Sequence, residues 1–245
     1  MDTEKEINQF VSRLREAAGE NLQSVILYGS AAAADFHPGH SDVNLLCILR
    51  EISLPALQAI APAVKSWTKQ KQRAPLLLTR EELERSADVF SIELLDMKER
   101  HRVLFGEDVL SGLRIPMHLH RAQLEYELRE KLILLREHVL RAAGDEKQLW
   151  KLLTDSLSTF ITLFRHALTA LGATPAASKR EAVQALTACI AFDASAFLQL
   201  LDLREGKASH KQFDVNDVFA RYLSAVERVT AAVDRMLDSP QAHSS

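Results

Sequence analysis

Cysteine is scarce in this chain, with two in 245 residues, Cys47 and Cys189, set far apart. So few cysteines give neither a disulfide framework nor a cysteine-based zinc site, and they fit a reducing, cytoplasmic compartment. No uninterrupted apolar run approaches the ~20 residues that cross a bilayer. Even Leu157–Phe164 is broken by Ser158, Thr159 and Thr162. The opening Met1-Asp2-Thr3-Glu4-Lys5-Glu6 is polar and mixed in charge, which does not fit a secretory signal. A basic surplus is absent too. Residues 1–115 carry 14 basic and 17 acidic side chains, and residues 116–245 carry 16 of each. Nucleic-acid-binding domains draw affinity from neutralising phosphates, so neither half is expected to bind nucleic acid. The local cluster Lys65, Lys69, Lys71 and Arg73 reads as a solvated helix end. A hydrophobic share of 47% with 26% charged residues excludes disorder. What remains is a soluble chain long enough for one large domain or two modest ones.

Its two halves follow different patterns. In the first, Ile7, Phe10, Val11 and Leu14 recur at helical spacing. Ser24–Tyr28 and Val43–Leu49 read as buried strands, the first stopped by Gly29 and the second preceded by a Pro38-Gly39 turn. Ser53 is placed to cap a helix from about Leu54 to Lys71, with Pro62 a kink. Pro75–Leu78 reads as a short strand, Thr79 as a helix cap and Phe90–Leu95 as another strand. Met97–Phe105 then reads as a helix that Asp96 caps and Gly106 ends. From about His118 onward, long apolar stripes at helical spacing replace this alternation. They include Leu124 to Val139, Leu149 to Leu171, Lys179–Ala191, Ala194–Leu203 and Val215 to Leu237, with Asp214 placed to cap the last. The expected fold is therefore α+β, a small mixed-sheet domain over 1–115 and an antiparallel helical bundle over 116–245. The boundary falls near Gly112–Pro116.

Chemistry concentrates in Leu27-Tyr28-Gly29-Ser30 and, eleven residues on, Asp42-Val43-Asn44-Leu45-Leu46. Gly29 ends a strand without a side chain, so a phosphate can approach the backbone closely. Ser30 stands where a helix would begin, and its hydroxyl and the following N–H groups suit phosphate oxygens. Asp42 and Asn44 are two residues apart at the start of a strand, so their oxygens share a face. Such a pair can hold a divalent cation against a triphosphate.

These residues resemble the nucleotidyltransferase superfamily of polymerase-β-like fold, and in particular small bacterial members such as the kanamycin and streptomycin adenylyltransferases with their helical C-terminal domains. The resemblance is close over Val25–Leu49 and loose over most of the rest. It implies transfer of a nucleoside monophosphate from a nucleoside triphosphate to a hydroxyl-bearing small-molecule or protein acceptor, with Mg²⁺. By position it implies that Gly29 and Ser30 hold phosphate and that Asp42 is the first metal ligand. It also implies a third carboxylate on a neighbouring strand. Glu93, mid-strand in the Phe90–Leu95 reading, is the candidate, both as ligand and as general base. The acceptor would meet the polar side of the helix carrying Glu127 and Glu130.

Two departures stand out. Asn44 occupies the place of the second acidic ligand, and Ala31–Ala34 brings no cation to the turn where the family often has Arg. Both weaken catalysis rather than fold. They leave open an alternative in which the fold binds a nucleotide or a protein partner without turnover. A third reading places ribonuclease chemistry in the bundle, through Arg204 and His210. Among the other histidines, His37 and His40 flank the turn before Asp42, and His118 and His120 sit at the domain junction. His101, His138 and His166 are expected on helices, facing solvent or capping local contacts. The acceptor, the base preference and the oligomeric state are not encoded in any motif.

Overall fold

The computed structural model describes residues 3–32, 43–142, 144–174, 176 and 178–238. It divides into two compact units, Met1–Pro116 and Met117–Ser245. The first is a mixed sheet with helices and the second is helical, so the chain is α+β.

In the first unit, helix α1 (Thr3–Ala18) leads into strand β1 (Leu22–Tyr28). Strand β2 (Asn44–Leu49), helix α2 (Leu54–Thr68) and strand β3 (Leu76–Thr79) follow. Helices α3 (Arg80–Arg85) and α4 (Ser91–Glu99) then precede strand β4 (His101–Gly106). The sheet order is β3-β2-β1-β4, with β1 antiparallel to both neighbours and β3 parallel to β2. Successive side chains of a strand point to opposite faces, and each face of this sheet buries its own core. Val25, Leu27, Leu45, Cys47 and Leu49 pack with Ile7, Phe10 and Leu14 of α1 and Ile60 and Trp67 of α2. Ile26, Leu46 and Ile48 pack on the other face with Leu83, Leu94, Met97, Leu110 and Leu113. Burial on both faces explains why β1 and β2 read as continuous apolar runs.

Two expectations are corrected here. The expected strand Phe90–Leu95 is helix α4, and the expected helix Met97–Phe105 is mostly strand β4. Glu93 therefore lies in the first turn of an α-helix, exposed, not in mid-strand between buried neighbours. Asp96 does not stand ahead of a helix starting at Met97; it sits in the last turn of α4, where its carbonyl accepts the Arg100 N–H at 3.1 Å. The run from Ile92 to Glu99 is rich in strong helix formers, Glu, Leu, Met and Lys, and too short for periodicity to arbitrate. The run from His101 to Phe105 becomes a strand because β1 offers it an unpaired edge.

Gly106 ends β4 for a reason other than helix capping. Its φ is +78°, and a Cβ there would stand 1.9 Å from the Gln23 carbonyl oxygen. The adjacent Ser24, fully buried, donates its hydroxyl to the Phe105 and Glu107 carbonyls at 3.1 and 2.7 Å. The chain then folds back, so that Asp108 reaches the start of β4. Its carboxylate accepts from His101 Nε2 at 3.1 Å and from the Ser111 hydroxyl at 2.5 Å. His101 Nδ1 faces the Lys98 carbonyl at 3.0 Å, so this histidine is a strand residue tied into the fold rather than a solvent-facing helical one. The Ser111 hydroxyl, then its backbone N–H and His101, hold the Asp108 carboxyl well below the usual carboxylate range.

The second unit contains α5 (Met117–Ala142), α6 (Glu146–Ala170), α7 (Lys179–Cys189), α8 (Ser195–Arg204) and α9 (Val215–Asp238). Their starts match Ser178, Asp145 and Asp214 side chains accepting from first-turn amides, which satisfies donors that a helix leaves unpaired. An aromatic cluster fills the core, with Phe197 stacked on Tyr222 at 4.4 Å and the edge of Phe160 against Tyr222 at 5.8 Å. Burial pushes the Tyr222 phenol up, and its hydroxyl is paired with Ser156 at 3.0 Å. His166 is also a correction: it is buried, not solvent-facing, with its Nδ1 3.1 Å from Nε2 of the fully buried His120.

Replacing Gly106 by Ala forces backbone to move or φ to change. We expect a loss of ~2 kcal/mol or more in unfolding free energy, against a change near zero for Gly112→Ala, which meets open space. Equal losses in denaturant melts would contradict this account of the β4 exit. The depressed Asp108 carboxyl contributes stability that is present above its unfolded pKa of about 4 and is lost as pH falls toward the folded value. The stability gap between wild type and Asp108→Asn is thus expected to be widest near neutral pH and to shrink between about pH 4 and pH 2. A gap that stays constant down that range would contradict it.

Candidate functional site

Alternation of strand direction brings four segments to one edge of the sheet. β1 leaves the sheet at Tyr28, while β2, β3 and β4 all enter it from that edge. Tyr28 pairs with Asn44 on one side and with His101 on the other. Leu46 pairs with Leu76, so the residues just before β3 run up to the same edge.

At its centre is Gly29. Its φ of +79° is in the left-handed region, which L side chains rarely adopt. A Cβ here would meet Asn44 Nδ2 at 3.5 Å, an ordinary contact, so backbone conformation and not space demands glycine. The Gly29 N–H donates to the Arg100 carbonyl at 2.9 Å, which ties the turn to the entry of β4. Gly29–Ala32 forms one short 3-10 turn rather than the start of an α-helix. Ser30 lies in it. The Ser30 side chain, Asp42, His37 and His40 lie outside the described residues.

Tyr28 is half-buried, and burial raises its phenol while the Arg73 charge acts in the opposite direction. Lys65, Lys69, Lys71 and Arg73 are all exposed, as expected of a solvated cluster. The helix α2 stops at Thr68, short of the expected Lys71, which adopts a left-handed φ of 64° as the chain turns back toward the sheet. The indole N–H of Trp67, itself buried and stacked on Phe10, donates to the Arg73 carbonyl at 2.8 Å and pins that return. The Trp67-to-Arg73 return is a tertiary feature.

The structure brings Gly29 and Asn44 together and keeps Ser30 in the same turn, but it does not bring Glu93 onto a strand. The four strands contain no Asp or Glu at all. Among the described residues, no group of three or more His, Cys, Asp or Glu is placed to hold a metal ion. Mg²⁺ requires several oxygen ligands and favours carboxylates. Among the described residues this edge offers the Asn44 amide, and Asp42, two residues before it, lies outside them.

The bundle holds a second cluster that motif reading missed. Arg204 and Lys179 Nζ converge on one neutral hydroxyl, Ser158 Oγ, at 2.6 and 3.1 Å. Burial and the neighbouring Arg204 charge lower the Lys179 pKa, as expected for two cations sharing an acceptor. Such a pair suits an anion. Arg204 and His210 have different partners, since the His210 ring lies edge-on to Trp150 at 4.7 Å. Glu127 and Glu130, expected near the acceptor, both contact Lys131, at 3.4 and 2.5 Å. A groove of about 530 Å³ lies between α5 and α6, lined by Leu135, Leu152 and Phe160 among others. The cations on its rim, Lys131, Arg141 and Lys151, have carboxylate partners in Glu130, Glu137 and Asp155.

No protein-family profile matches the chain, and no curated protein matches it in sequence. Among solved structures, it is similar to spectinomycin adenyltransferase AAD(9) from Enterococcus faecialis, solved with ATP and spectinomycin. The identity is 16%, the TM-score 0.54, and the match covers 96% of this chain and 99% of the other. No helix among the described residues is long and apolar enough to cross a membrane. With a mixed four-stranded sheet, a left-handed glycine turn at its edge and a following helical unit, the chain shares the fold of that solved structure.

Proposed function

We propose that this protein is a nucleotidyltransferase that takes a nucleoside triphosphate at the Gly29 edge and passes its nucleoside monophosphate to a hydroxyl of a small-molecule acceptor. The observation that carries this reading is the left-handed Gly29 turn beside Asn44, in a fold shared along the chain with an adenyltransferase solved with ATP. In the reaction, the acceptor oxygen attacks the α-phosphorus, the bond to the β-phosphate oxygen breaks, and pyrophosphate leaves. Gly29 lets the phosphates approach the backbone, and Ser30 offers them its hydroxyl. Asp42 and Asn44 would be this chain's ligands to a Mg²⁺ ion, which would supply neutralisation of the phosphate charge. Glu93 remains the candidate for the base that takes the acceptor proton, from the exposed face of α4 rather than from a strand. Lys179 and Arg204 give the helical unit its own place for an anion.

A second reading, motivated by Asn44 and the Ala-rich turn after Ser30, keeps the same edge for the nucleotide without turnover. Pyrophosphate release from labelled triphosphates, with Mg²⁺ and hydroxyl acceptors including spectinomycin, separates the two. On the first reading Asp42→Ala lowers release by about 100-fold or more, and Glu93→Gln lowers it as well. Release that survives Asp42→Ala would contradict the assignment. No release from wild type, with release gained in Asn44→Asp, would establish the second reading.

A further inference from the structure

Helix α5 turns a ridge of large apolar side chains toward solvent. Tyr126, Ile133 and Leu140 are 63%, 54% and 80% exposed, whereas Leu124, Leu128, Leu132 and Leu135 of the same helix are buried in the bundle. The three exposed residues recur every seven positions. That spacing falls only about 20° short of two full turns, so they line up along about 21 Å of the helix. The charged residues next to this ridge are sorted by sign. Arg129 and Arg136 lie on the flank toward α9, where they meet Asp234 at 2.8 Å and Glu227 at 2.7 Å, and Arg129 also meets Glu125 at 2.5 Å. Glu130 and Glu137 lie on the other flank, where Lys131 and Arg141 stand 2.5 and 3.6 Å away. These contacts hold the four side chains along the ridge and leave them substantially exposed. A guanidinium has five N–H donors, so each arginine keeps donors for a further acceptor.

Scattered surface apolar residues need no explanation, but an aligned ridge between flanks of opposite sign is a helix-pairing surface. The order of the signs identifies its partner as a second copy of this chain. Two α5 helices packed ridge to ridge and parallel set the basic flank of each against the acidic flank of the other. Arg129 then faces the partner's Glu130, and Arg136 faces the partner's Glu137. Tyr126, Ile133 and Leu140 each meet their own counterparts, as a two-fold axis along the helix requires. Packed antiparallel, the same ridge would set arginines against arginines and glutamates against glutamates. We infer that α5 is the interface of a two-fold symmetric dimer with its two α5 helices parallel. One helix face buries less than the ~1,600 Å² of a standard interface, so the dimer is weak and depends on concentration. The apolar ridge supplies the affinity and the flanking charges set the direction. This interface is independent of the chemistry at the Gly29 edge.

Sedimentation equilibrium on the full chain tests this inference. Wild type is expected to show a monomer–dimer equilibrium, and Ile133→Glu to weaken it by about tenfold or more, since it places two like charges at the centre of the contact. The double variant Arg129→Glu with Arg136→Glu is expected to be monomeric alone, as is Glu130→Lys with Glu137→Lys. Mixed together they are expected to associate, because each then offers the other opposite charge on both flanks. Direction is read by oxidation in a Cys189→Ser background, which removes the exposed native thiol. Leu140→Cys is expected to link to its own counterpart. An equimolar mixture of Tyr126→Cys and Leu140→Cys is expected to give 126–126 and 140–140 links without 126–140 links. Melting curves confirm that each variant is folded, and the mixed charge variants carry the test if Ile133→Glu is not. A chain that stays monomeric up to about 1 mM would leave the ridge to a different protein and overturn the inference. A dimer that Ile133→Glu leaves intact would overturn it too, and 126–140 links would overturn the parallel arrangement.

Discussion

Strand β1 pairs on both sides, through Tyr28↔Asn44 and Tyr28↔His101, and this double pairing decides what stands at the edge of the sheet. Because both neighbours are antiparallel to β1, the place where β1 ends is where they begin. Because β3 is parallel to β2, it begins there too. One turn and three strand entries are thus gathered without any long-range side-chain contact. The burial of Val25, Ile26 and Leu27 on two faces makes the register hard to slip, since a shift of one residue would exchange both cores. Gly29, Asn44, Arg73 and Arg100 inherit their positions from this framework.

The charge pattern at that edge distinguishes this chain from the site its motif suggests. Asn44 stands where a second acid was expected, β3 reads Leu-Leu-Leu-Thr, and the acid thought to sit on a strand is on helix α4. Each change removes negative charge from the strands, and the Trp67-pinned return carries the Arg73 backbone back toward β3. Phosphate binding and metal binding make opposite demands on local charge.

Much of the fold was legible because it is encoded locally. The opening helix, the first three strands and the five helices of the bundle follow from apolar periodicity and from caps such as Ser53, Thr79 and Asp214. The failure between Phe90 and Gly106 has a specific cause. Glu93, Leu94 and Leu95 carry a run that suits either state, and β4 exists only because β1 has an edge to fill. No window of sequence contains that partner. The Gly29 turn was legible because a strand must stop there and glycine permits a left-handed φ. Arg73 was not, because its position depends on Trp67, six residues earlier, donating across a turn made by Lys71 at positive φ. Likewise, Lys179 and Arg204 meet at Ser158 only through helix packing. His120 and His166, 46 residues apart, pair in the core for the same reason.

The central claim is that the strand-entry edge is where phosphates bind, and a crystal structure of the full chain soaked with a non-hydrolysable ATP analogue tests it most directly. The account expects the phosphate chain against the Gly29 turn, beside Asn44. An analogue bound elsewhere, with that edge unchanged, would contradict it.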